Sequence, residues 1–219
     1  MGAHFVTLGG GGFSMADDDA ATSIDRRLLE LTGVADPLVT FVPTASADDA
    51  DYIGRFRAAF AALGVRTDVL TLWEDARASV ERLSSADVVY VGGGSTLNLL
   101  ALWRAHGVDA VLADVAARDD AVLAGVSAGA NCWYEACSTD SFGPLAPLRD
   151  GLGLLPGSFC PHFDGEQGRA DSVRAWVREG LLPEGWAADD GAALHWRDGV
   201  IVDHLVERPG AATHRITAA

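Results

Sequence analysis

The chain has 219 residues, 49% of them hydrophobic, and carries a formal charge of −15 from 31 acidic and 16 basic side chains. That length supports one substantial core, and the acidic balance argues against nucleic acid or an anionic membrane surface as partner, since both need clustered Lys and Arg. The three cysteines (Cys132, Cys137, Cys160) cannot all pair and form no C-x-x-C motif, so they read as reduced thiols of a cytoplasmic protein.

In chain order, Phe5 to Leu8 opens as a strand, with no basic segment before it and too short an apolar run for a signal peptide or membrane span. Leu38 to Val42, Thr67 to Leu72, Val88 to Val91 and Ala121 to Val126 are further apolar, β-branched runs that predict buried parallel strands. Between them, Ser23 to Leu31, Asp48 to Leu63, Thr96 to His106 and Val108 to Ala117 have the three- and four-residue apolar spacing of helices. Thr22 or Ser23 is positioned to cap the first helix, and Gly33 and Gly64 stand where helices should stop. This alternation predicts a three-layer α/β/α sandwich around a mostly parallel sheet. After residue 185 the texture changes. Ala192 to Trp196, Val200 to Val206 and Ala211 to Ile216 read as antiparallel strands at the sheet edge, with Gly-containing turns between them. No linker or repeat divides the chain.

The chemistry centres on Gly125-Val126-Ser127-Ala128-Gly129, a Gly-x-Ser-x-Gly nucleophile elbow entered from a predicted strand. Its glycines let neighbouring backbone pass close to the turn, and a helix-like segment, Asn131 to Glu135, follows. Such a helix would direct its free N–H groups and dipole at charge developing beside Ser127. Val91-Gly92-Gly93-Gly94-Ser95-Thr96 is a second glycine loop at the carboxyl end of a neighbouring strand, so it should face the serine. The backbone N–H groups of Gly93 and Ala128 are the expected oxyanion donors. Gly9-Gly10-Gly11-Gly12 lacks the third glycine of a dinucleotide fingerprint and is followed by three aspartates, so it reads as a tight loop and not a cofactor site.

Of six histidines, His162 stands in a loop, Cys160-Pro161-His162-Phe163-Asp164, and is the expected general base. Asp190, just before Gly191, is favoured as the acid that orients it, with Asp189 and Asp164 as alternatives. The order Ser, His, Asp differs from the Ser, Asp, His order of α/β-hydrolases. Cys160 and His162 make too few ligands for a metal, so neither metal nor organic cofactor is expected.

Taken together, Gly9 to Met15, Pro43-Thr44-Ala45-Ser46, Val91 to Leu100, Gly125 to Asn131 and Cys160 to Asp164 resemble the aspartyl dipeptidase (peptidase E) family of serine peptidases over nearly the whole chain. The resemblance implies one catalytic domain over residues 1–219 with a flavodoxin-like sheet related to class I glutamine amidotransferases. It implies Ser127 as nucleophile, His162 as base and Asp190 as the acid. It also implies a small acidic peptide as substrate, with Arg169 gripping an N-terminal aspartate and Arg174 on the following helix. Ser95 departs from the Asn that members often carry after the three glycines. The expectation is therefore a dipeptidase, monomeric or homodimeric. Its alternatives are a related hydrolase of another acidic, isoaspartyl or cyanophycin-like peptide, and a non-catalytic binding protein of the same fold.

Overall fold

The structure, a computed structural model, describes residues 2–18, 20–165 and 167–219. Its first half is an alternation: β1 (His4–Leu8), α1 (Ser23–Thr32), β2 (Leu38–Val42), α2 (Ala50–Ala61), β3 (Arg66–Val69), α3 (Ala76–Leu83), β4 (Val88–Val91), α4 (Thr96–His106), α5 (Val108–Ala116), β5 (Val122–Val126) and α6 (Ala128–Asn131). Then come β6 (Tyr134–Thr139), β7 (Ala146–Leu148), β8 (Leu155–Cys160), α7 (Arg169–Arg178) and β9 (Gly185–Ala188). Three strands close the chain: β10 (Ala192–Arg197), β11 (Val200–Val206) and β12 (Thr213–Ile216).

A seven-stranded sheet has the order β11-β10-β1-β5-β4-β2-β3. Its five central and distal strands are parallel, and β10 and β11 add antiparallel at the β1 edge. β1, β2, β4 and β5 are buried on both faces, which is why they read as near-continuous apolar runs. β3, expected over Thr67 to Leu72 as a buried strand, is instead an edge strand exposed at Arg66 and Thr67. Val88, Tyr90, Val122, Ala124 and Val126 enter one core with α1 and α2. The alternate residues Val89, Val91 and Leu123 enter the other with α3, α4 and α5. The period of two therefore assigns successive residues to opposite faces, and the result is a three-layer α/β/α fold.

The caps follow the expected chemistry. Thr22 caps α1 in a reciprocal capping box with Asp25, and Gly33 ends the helix in the left-handed region with φ 65°. All three cysteines are buried, and none forms a disulfide among the described residues.

Two expectations need correction. The strand expected over Ala211 to Ile216 forms as β12 but leaves the main sheet. It borders a second, five-stranded sheet of order β12-β9-β8-β6-β7, which packs its Tyr134, Leu155 and Phe159 into the core beneath α4 and α5. The helix-like segment expected over Asn131 to Glu135 does not form either: α6 ends at Asn131 and β6 begins at Tyr134. The aromatic pair Trp133 and Tyr134 is fully buried, and bulky rings of this kind suit a pleated, two-sided environment.

The Tyr134 hydroxyl pins the two sheets together. It bonds Thr7 Oγ1 of β1 at 2.9 Å and accepts from Trp196 Nε1 of β10 at 3.0 Å. At the amino end of β1, His4 Nδ1 lies 2.8 Å from His195 Nε2 of β10.

Candidate active site

β5 lies between β1 and β4, so the turn that follows it is flanked by the glycine loops that leave those two strands. Ser127 occupies that turn with φ 55° and ψ −115°. A non-glycine residue there costs roughly 1–3 kcal/mol and is held by its surroundings. Its N–H donates to the Leu8 carbonyl at 3.2 Å, and its carbonyl accepts from Asn131 N at 2.9 Å. The flanking glycines are sterically required. A Cβ on Gly125 would lie 2.0 Å from the Gly129 carbonyl oxygen, and one on Gly129 would lie 2.2 Å from that of Val91.

The second glycine loop faces the serine as expected. A Cβ built on Gly93 would sit 3.5 Å from Ser127 Cβ. The Gly93 N–H donates to the Tyr52 hydroxyl at 3.3 Å. The Ala128 N–H opens α6, but that helix is a single turn of four residues. A macrodipole needs several aligned peptides, so the donor there is the local N–H and not a helix end.

His162 lies just past β8, also at positive φ (50°). Its loop is held by Phe163 N donating to the Ala188 carbonyl at 3.1 Å and Gly165 N to the His162 carbonyl at 3.1 Å. His162 Nδ1 lies 2.6 Å from Asp190 Oδ1. The other two acids have different partners. Asp189 accepts from His214 Nε2 and from Ala212 N, each at 2.9 Å. Asp164 accepts from Asp190 N at 2.9 Å and forms an ion pair with Arg208. Burial raises the Asp164 carboxyl, but the Asp190 N–H and the Arg208 guanidinium outweigh it and hold it below the usual carboxylate range. Of the three acids, Asp190 is the one on the imidazole.

Gly10 carries a role that the sequence did not disclose. A Cβ there would lie 2.1 Å from Asp190 Oδ1 and 2.9 Å from His162 Nδ1. The first glycine loop is thus bare where the His162–Asp190 pair rests on it, and Gly191 N fastens the arrangement by donating to the Gly10 carbonyl at 2.8 Å.

Ser127 and His162 share one open cavity of about 430 Å³, within the range of small-ligand sites. Its lining also includes Asp49, Asp51, Tyr52 and Arg55, from the N-cap and first two turns of α2. Arg169 is not among the described residues lining it. Its side chain is buried, and Nη1 donates to the Pro161 carbonyl at 3.4 Å, behind the His162 loop. The guanidinium in the cavity wall is Arg55, which also donates through Nη2 to the carbonyls of Phe13 and Ala16 at 3.3 and 3.2 Å. Neither Arg55 nor Tyr52 is marked in the sequence. At helical spacing with Phe56 and Phe60 they read as one more amphipathic helix.

An elbow serine, a histidine held by a carboxylate and a shared cavity on a three-layer α/β fold define a hydrolase of the serine-nucleophile type. The family model for peptidase family S51 matches residues 5–203. The chain is 42% identical over 217 residues to the "Uncharacterized peptidase YgaJ" of Bacillus subtilis (strain 168), covering 99% of this chain and 93% of that protein. It is 34% identical over 165 residues to "Peptidase E" of Streptomyces coelicolor, covering 74% of this chain and 65% of that protein. Two crystal structures share the fold. One is a peptidase from an acI-B1 Actinobacterium, with TM-score 0.71 and 17% identity over 100% of this chain and 92% of that one. The other is a putative peptidase E protein from Listeria monocytogenes EGD-e, with TM-score 0.66 and 21% identity over 99% and 100%. The chain belongs to peptidase family S51, and it is a serine peptidase.

Proposed function

We propose that the protein is an exopeptidase that removes an acidic N-terminal residue from short peptides through Ser127, His162 and Asp190. The observation that carries this reading is the 2.6 Å contact of His162 Nδ1 with Asp190 Oδ1 at the rim of the cavity that also holds Ser127. With Nδ1 held, Nε2 is the nitrogen left to take the Ser127 proton as Oγ attacks the peptide carbonyl. Asp190 keeps the imidazole in that tautomer and offsets the charge of the imidazolium. His162 then protonates the leaving amine, and water repeats the cycle on the acyl-enzyme. The oxyanion in this reading is met by the Ala128 N–H and by the glycine loop at Gly93.

The α2 side of the cavity supports recognition of a free N-terminus. Asp49 and Asp51 favour an α-ammonium there, and Arg55 offers a guanidinium to an acidic side chain. Arg169, behind the His162 loop, fits a loop-supporting role better than a gripping one.

One experiment tests both parts. Turnover of Asp-Leu and Ala-Leu is compared in the wild type and in the Ser127→Ala, Arg55→Ala and Arg169→Ala variants. Ser127→Ala should lose several orders of magnitude on both peptides. Arg55→Ala should lower the Asp-Leu to Ala-Leu ratio about 10- to 100-fold, the worth of a charge-assisted pair, whereas Arg169→Ala should lower both rates together. A ratio unchanged by Arg55→Ala but collapsed by Arg169→Ala would return the grip to Arg169. Near-normal turnover by Ser127→Ala would remove the serine mechanism itself.

A further inference from the structure

The donor that should stabilise the oxyanion is already engaged, because the Gly93 N–H points at the Tyr52 hydroxyl at 3.3 Å. We propose that Tyr52 is a catalytic residue: its hydroxyl takes the Gly93 N–H and donates its own proton in a hydrogen bond to the oxygen that becomes negative when Ser127 attacks. This rests on the reading of Ser127 as nucleophile.

The geometry favours a fixed donor over a side chain that moves aside. Tyr52 sits in the first turn of α2, and its own N–H is held by the Asp49 side chain at 2.8 Å. Its ring packs against Phe13 and Phe41, with centroids 5.6 and 5.0 Å away. The glycine loop closes on it from above: a Cβ on Gly92 would come within 2.9 Å of Tyr52 Cε1 and 3.1 Å of Phe41 Cζ. With the ring clamped on these sides, the hydroxyl cannot withdraw when a substrate carbonyl enters. Tyr52, Gly93 and Ser127 line the same cavity, which places the hydroxyl on the side from which a carbonyl attacked by Ser127 is approached.

The hydrogen-bond directions also agree. Tyr52 Oη accepts from Gly93, so its own proton is free to turn toward another acceptor. Ser14, which lines the same cavity, spends its own hydroxyl proton on the Gly11 carbonyl at 2.6 Å. Burial raises the phenol above its ordinary value, so it remains a donor at any working pH. A donor that itself receives an N–H bond is polarised by it and binds an anion more strongly. In the acylation step the Ser127 Oγ–carbon bond forms, the carbonyl π pair moves onto oxygen and the Ser127 proton passes to His162. Tyr52 keeps its proton throughout and contributes only the hydrogen bond.

The test is Tyr52→Phe, which keeps the ring and its packing and removes one oxygen. It is assayed beside Ser127→Ala on the best-hydrolysed member of a dipeptide panel. Affinity is measured in parallel for an α-aminoboronic acid that forms a tetrahedral adduct with the serine. Removal of one oxyanion donor typically costs about 10²- to 10³-fold in kcat. The expected result for Tyr52→Phe is a fall of at least tenfold in kcat with KM within threefold, and a matching loss of boronic acid affinity. An unaltered kcat, or a loss confined to KM, overturns the proposal while Ser127→Ala remains inactive. If Ser127→Ala still turns over peptide, the serine reading fails and this proposal fails with it. A thermal melt of the variant separates a packing loss, which would leave boronic acid affinity unchanged and count against the proposal.

Discussion

The pairing of His162 with Asp190 depends on an atom that is not there. Gly10 lies at ordinary backbone angles, so alanine would strain nothing in the chain itself. Its methyl would nevertheless fall 2.1 Å from Asp190 Oδ1, and the carboxylate and imidazole would have to part. A displacement of about 1 Å in a catalytic constellation is worth roughly 10²-fold in rate. Gly10→Ala should therefore lower kcat by about two orders of magnitude while the far-UV circular dichroism spectrum stays native. Wild-type turnover in that variant would show that the pair tolerates separation. The same residue shows where sequence reading stops. Ser127, His162 and Asp190 announce themselves because polar residues among glycines and proline at strand ends have few structural reasons to be there. Gly10 and Tyr52 do not, since one passes for an ordinary turn glycine and the other for a core aromatic. Only the positions of other chain segments against them reveal their use.

Among elements, the seam between the two sheets is the part that local pattern could not supply. Four of the five parallel strands of the main sheet, β1, β2, β4 and β5, are buried on both faces, so their composition names them. The strands of the second sheet are short and irregular: β7 holds Pro147, β8 holds Pro156 and Gly157, and β9 has four residues. β8 and β9 are paired with strands roughly twenty or more residues away, a kind of support that no periodicity records, and β7 is a short hairpin partner of β6. The Tyr134 hydroxyl is one such support, joining β6 to β1 and β10. Tyr134→Phe would leave Thr7 Oγ1 and Trp196 Nε1 without this partner in a dry interior, at a cost of about 1–3 kcal/mol. Urea titration of the variant should show that loss as a lower midpoint with an unchanged slope. An unshifted midpoint would mean that the seam does not depend on this bond.

For the molecule as a whole, one buried and one part-buried group should shape stability against pH with opposite signs. Burial, with a contribution from Glu207, pushes the Asp25 carboxyl up to about 6. Its unfolded value is near 3.9, so the native state holds the extra proton and stability falls as pH rises from about 4 to 6. Burial, together with the Arg197 charge, lowers His4 to about 4 from an ordinary 6.5. There the unfolded chain holds the extra proton, and stability falls as pH drops through the same range. The two effects partly cancel in the wild type. Asp25→Asn keeps an oxygen for the Thr22 N–H, which the carboxylate accepts at 2.8 Å, and removes the titration. Its melting temperature should climb more steeply than that of the wild type between pH 4 and 6. Parallel curves would show that Asp25 ionises as freely in the folded protein as in the unfolded one.

The proposed nucleophile and base have different parents: Ser127 follows β5 of the seven-stranded sheet, whereas His162 and Asp190 follow β8 and β9 of the five-stranded one. Peptide hydrolysis is in consequence a gauge of alignment between two bodies, reading slippage that spectroscopy of either sheet would miss. A change that loosens the seam should therefore lower hydrolysis first.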